Sequence, residues 1–61
     1  MIEFGKKYRV SVKSPLIAEG TPVTPAKDAS GNLETGKTGK IGFSVPTGGI
    51  LFFSENEVAE A

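Results

Sequence analysis

Eight residues, Gly31-Asn32-Leu33-Glu34-Thr35-Gly36-Lys37-Thr38, carry the spacing of loops that bind nucleotide phosphates, two glycines five apart followed by lysine and threonine. That chemistry needs a strand entering the loop and a helix leaving it, so that backbone N–H groups converge on the phosphates. Neither flank supplies this. Thr24 to Ser30 upstream holds no apolar β run, and Lys40 to Pro46 downstream alternates apolar and small residues, with Gly42 and Pro46 opposing a helix. With 8 Gly in the chain and abundant Lys, Ser and Thr, chance alone produces such a match about 1.5 times in 100. The run is read as coincidence, and the chain as having no room for the further βα units and second metal ligand of a nucleotide enzyme.

Other catalytic chemistry is equally short of parts. There is no His and no Cys, which removes the commonest general base and the strongest nucleophile, and removes metal and disulfide sites built on them. Glu55 and Glu57 are spaced as a carboxylate pair on a strand would be, but they lie in a charged, solvated tail, a poor setting for a glycosidase-like pair. The sequence therefore predicts a protein that is not an enzyme and uses no cofactor or metal.

The elements that position these residues are short. Lys7 to Lys13 alternates Tyr8, Val10 and Val12 with charged or small residues, which predicts a half-buried strand with Tyr8 in the core. Ser14-Pro15 ends it. Thr21 to Pro25 can be extended, but its two prolines place it at a sheet edge or outside the sheet. Residues 26–40 have the composition of a long, mobile loop. Ile41, Phe43 and Val45 mark a second strand, and Pro46 to Gly49 turns it into a hairpin with Ile50-Leu51-Phe52-Phe53. Ser54, followed three residues later by Glu57, fits a capping box and predicts a short helical turn.

Sixty-one residues make one domain, 1–61, which buries only about 60% of the surface its unfolded chain exposes. No apolar run reaches membrane-spanning length and no signal-peptide pattern opens the chain, so a cytoplasmic protein, or one carried within a viral particle, is expected. Seven basic and seven acidic residues cancel, against a function that rests on neutralising phosphate backbones. The ends differ, with cations in residues 1–13 and Glu55, Glu57 and Glu60 in the tail, and the simplest expectation is that they pair in the fold.

Two groups remain as binding candidates. Ile50, Leu51, Phe52 and Phe53 put two large apolar side chains on each face of their strand, and a domain this small is expected to cover one pair itself and leave the other for a partner. Lys7, Arg9, Lys37 and Lys40, near several glycines, form the alternative, a nucleic-acid surface. The blocks Phe4-Gly5-Lys6-Lys7-Tyr8-Arg9-Val10-Ser11-Val12, Gly36-Lys37-Thr38-Gly39-Lys40-Ile41 and Leu51 to Val58 resemble the small SH3-like barrels of the KOW type and of the stromal photosystem I subunit. The resemblance covers about half the chain and implies a non-enzymatic module that binds through loops and one barrel face. The expectation is an all-β, roughly five-stranded SH3-like barrel that binds protein. It would be an accessory or decorating subunit on a larger assembly, such as a phage or bacterial complex, or a homo-oligomer.

Overall fold

The computed structural model describes all residues, 1–61. Five strands form in chain order: β1 (Tyr8–Val10), β2 (Pro22–Pro25), β3 (Ile41–Ser44), β4 (Ile50–Phe53) and β5 (Val58–Glu60), with a 3₁₀ turn at Glu55–Glu57 before the last. All pairings are antiparallel, in the order β4-β3-β2-β1-β5, so β4 and β5 are the two edges of a curled half-barrel. This small all-β architecture is compatible with an SH3-like barrel. No helix is long and apolar enough to cross a membrane.

The expected alternation of the first strand holds, although the strand is shorter than Lys7 to Lys13. Tyr8 and Val10 are buried and Arg9 between them is exposed, while Val12 lies beyond the strand and packs on the core from there. Phe43 is fully buried at the centre, with Tyr8 and Phe53 presenting ring edges to it at centroid distances of 5.9 and 6.0 Å. Ile2, Val23 and Val58 complete the cluster. The Tyr8 hydroxyl, inside the core, accepts a 2.9 Å hydrogen bond from the Glu3 N–H.

Placing Thr21 to Pro25 at an edge is wrong: β2 is the central strand. The register explains how two prolines sit there. β2 pairs with β1 through Pro22 and Val23, and with β3 through Thr24 and Pro25. The Thr21 carbonyl accepts from Val10 and the Ala26 N–H donates to Gly42, so odd-numbered β2 residues aim their backbone at β1 and even-numbered ones at β3. The Pro25 nitrogen therefore faces the position of Lys6, before β1 begins, and the Pro22 nitrogen faces that of Pro46, after β3 ends. Neither proline breaks a ladder bond, because each neighbouring strand has already stopped.

Residues 26–40 carry none of the five strands, yet their backbone is folded into two successive tight turns. Asp28 N–H donates to Asn32 O, and the Asp28 carboxylate accepts from the N–H groups of Ser30 and Asn32. Gly36 N–H then donates to Lys40 O, and Glu34 is stitched between Ala26 and Gly42. Isolated bridges pair Lys27 with Leu33 and Thr35 with Ile41. The β3–β4 hairpin closes through Gly48 and Gly49 at φ of 95° and 85°, values that strain residues bearing a Cβ.

Candidate docking site on β4

The four apolar residues of β4 divide between inside and outside. Phe53 is 6% exposed, and Leu51 packs against the core from a half-buried position. Ile50 and Phe52 face outward, 46% and 41% exposed. Of the four, Ile50 and Phe52 are thus the exposed pair, while Phe53 is buried and Leu51 half-buried.

The outward pair rests on a shelf of glycines. A Cβ placed on Gly36 would lie 3.0 Å from Phe52 Cδ2, and one on Gly42 would lie 3.0 Å from both Ile50 Cγ2 and Glu34 Cγ. The second turn of the 26–40 segment thus supports the inner flank of Phe52, and the Glu34 stem and Ile50 together roof Gly42. Of the two glycines in the phosphate-loop pattern, Gly36 is there for close packing, while Gly31 has open space around it and serves a turn at φ 84°.

Edge position leaves β4 with unpaired backbone. Val45 N–H donates to Gly49 O, which sets the phase of the hairpin: Phe43 with Leu51 and Ile41 with Phe53 are the hydrogen-bonded pairs. The N–H and C=O groups of Ile50 and Phe52 consequently point away from β3, and β4 has no other neighbour. Alongside lies a groove of about 260 Å³, lined by Leu51, Phe52 and Phe53 together with residues 12–16, Lys40 and Glu57. Leu16, 77% exposed, stands on its rim.

Of the charged side chains, Lys6, Lys40, Glu3, Glu55, Glu57 and Glu60 take part in ion pairs, and the others do not. The expected pairing of the two ends holds in part: Lys6 reaches Glu60 at 3.3 Å as well as Glu3 at 3.2 Å and the Met1 α-ammonium meets Glu55, while Lys7, Arg9 and Lys13 make no ion pair. Hydrogen bonds and the charges of Glu3 and Glu60 raise the Lys6 pKa. Lys27 lies over the Phe4 ring, 5.3 Å from its centroid. Of the nucleic-acid candidates, Lys7 and Arg9 belong to the β1 region, Lys37 to the turn closed by Gly36 and Gly39, and Lys40 is opposite Glu57 at 3.8 Å. The four come from two segments far apart in the chain, and Lys40 is the one among them held in an ion pair. Within the phosphate-loop run, the N–H groups of Gly31, Asn32, Glu34 and Gly36 are engaged internally, and strand β3 stands where a helix would be required.

The Glu57 half of the capping box forms, with Ser54 N–H donating to Glu57 Oε1 at 2.7 Å. That bond holds the Glu57 carboxyl below its ordinary value. Partial burial opposes the shift, and Lys40 adds a smaller pull in the same direction.

Comparison with protein families, with curated proteins and with solved structures finds no match to this chain.

Proposed function

We propose that this chain is a non-enzymatic binding module that docks on a larger protein through the outward residues of β4, Ile50 and Phe52. The observation that carries the proposal is the division of β4: a strand of four large apolar residues gives two to the core and presents two to solvent at a sheet edge. Covering each of these half-exposed side chains is worth about 1 kcal/mol, and a partner that seats both gains more than scattered surface residues offer. An accessory subunit of a phage or bacterial assembly fits that use. So does the resemblance to KOW-type and photosystem I stromal-subunit barrels, which implies binding through one barrel face. Cations that are paired or scattered favour this reading over a nucleic-acid surface.

The test compares three tagged chains recovered from the cells that make the protein: wild type, Ile50→Asp with Phe52→Asp, and Lys7→Glu with Arg9→Glu. Size-exclusion chromatography with light scattering reports the mass each chain travels with. Docking through β4 predicts a complex for wild type and the charge-reversed pair, and a free 6.4 kDa chain for the aspartate pair. The reverse pattern overturns it.

A further inference from the structure

An outward apolar pair could be covered by many surfaces, but the backbone beside it is more selective. Ile50 and Phe52 offer two N–H donors and two C=O acceptors, on alternate residues of an extended chain, with no backbone hydrogen-bond partner. Only another extended backbone matches that spacing. Sheet edges in folded proteins are usually guarded by a lysine, a proline or a bulge, and β4 has none of these over Ile50–Phe53. The groove runs beside the same edge and is lined by Leu51, Phe52 and Phe53 in sequence, as happens where a strand shows its side rather than a face. Across it, Lys13 has no ion-pair partner, and Lys40 holds Glu57 only at 3.8 Å, so the groove's charged residues, Lys13, Lys40 and Glu57, leave it net cationic.

We propose that the free edge of β4 takes up an extended peptide segment of a partner protein as an added strand, an apolar side chain of the peptide seated in the groove between Phe52 and Leu16 and an acidic residue beside it facing Lys13. This inference rests on the docking function proposed above and specifies its mode. A second copy of the chain is the weaker occupant. Its groove is net cationic as well, so two copies brought edge to edge set like charges against each other, whereas an acidic-flanked peptide complements Lys13 and Lys40.

The chain is short enough for total chemical synthesis, which permits a substitution that mutagenesis cannot make: N-methylation of the Phe52 backbone nitrogen. The methyl group removes one outward donor and blocks the edge, while the Phe52 side chain and every β3–β4 hydrogen bond remain. The probe is a synthetic heptapeptide of alternating valine and threonine flanked by glutamates, titrated by NMR, with a lysine-flanked version and a proline-interrupted version as controls. Strand addition predicts saturable binding of the glutamate-flanked peptide, with slowed amide exchange at Ile50 and Phe52. It predicts about tenfold or greater weakening by N-methylation, a two- to fivefold weakening by Lys13→Glu at low salt, and no binding of the proline peptide. Undiminished binding to the N-methylated chain together with loss in Ile50→Asp/Phe52→Asp overturns strand addition and leaves side-chain docking standing. Binding indifferent to both changes removes both readings. No saturation by about 1 mM peptide overturns strand addition. Concentration-dependent protection of Ile50 and Phe52 without peptide does so in favour of a second copy.

Discussion

Replacing Gly42 by alanine tests the close approach of the 34–36 turn and β4 over β3. Gly42 is buried, and its φ lies outside the left-handed region, so the added methyl meets neighbours rather than backbone strain. Those neighbours are Ile50 Cγ2 and Glu34 Cγ at 3.0 Å, which yield only by a change of χ1, and Glu34 Cβ at 3.1 Å, which the backbone fixes. Overpacking of this kind costs about 1–3 kcal/mol, and the reduced freedom of the unfolded chain returns about 0.4–1 kcal/mol. A net loss near 1.5 kcal/mol from a domain whose whole stability is roughly 3–9 kcal/mol lowers the melting temperature by about 6–12 °C. Gly36→Ala is the control, because the atoms it meets belong to the half-exposed Phe52 ring, which can turn toward solvent, and its cost stays within about 1 kcal/mol. Thermal unfolding followed by circular dichroism reads both. A Gly42→Ala chain that melts at or above the wild-type temperature, or a Gly36→Ala chain that is the less stable of the two, refutes the packing described.

Phe43→Ala removes the ring on which Tyr8 and Phe53 converge and costs about 3–5 kcal/mol, so its melting temperature falls well below that of Gly42→Ala in the same assay. Phe52→Asp loses only a part-buried contact, about 1 kcal/mol, and keeps the wild-type spectrum, whereas Phe53→Asp does not. The Glu57 carboxyl has a depressed pKa in the folded state. Its contribution is complete above the ordinary glutamate pKa and is lost as pH falls through the folded-state value, so urea midpoints of wild type drop more between about pH 5 and 3 than those of Glu57→Gln. Lys37→Ala, at an exposed turn, shifts stability by less than about 0.5 kcal/mol and produces no change in the NMR spectrum on addition of ATP that differs from wild type.

What the sequence revealed depended on whether alternation was visible. In β1 and β3 a polar or small residue separates each apolar pair, so the inward set of Tyr8, Val10 and Phe43 followed from spacing alone. β4 has no polar member to mark its faces. The outward choice of Ile50 and Phe52 depends on the register with β3, which is set by the Gly48-Gly49 turn. β5 was hidden because Val58 is its one large apolar residue, and its partner β1 lies some fifty positions earlier in the chain. Ile2 joined the core unannounced for the same reason, having no neighbouring pattern. The prolines of β2 misled because the rule that confines proline to edges assumes neighbours along the strand's full length, and here each neighbour covers only half. Gly36 and Gly42 stood in the sequence as part of a phosphate-loop pattern and as a helix breaker, and what packs over them is supplied by the tertiary fold.

Amide hydrogen exchange on the free chain, resolved residue by residue across β4, probes most directly whether this strand is a split element with an open side. Fast exchange at Ile50 and Phe52 with slow exchange at Leu51 and Phe53 is the predicted alternation. Uniformly slow exchange over 50–53 would mean that the outer edge is already covered, and would contradict a docking site there.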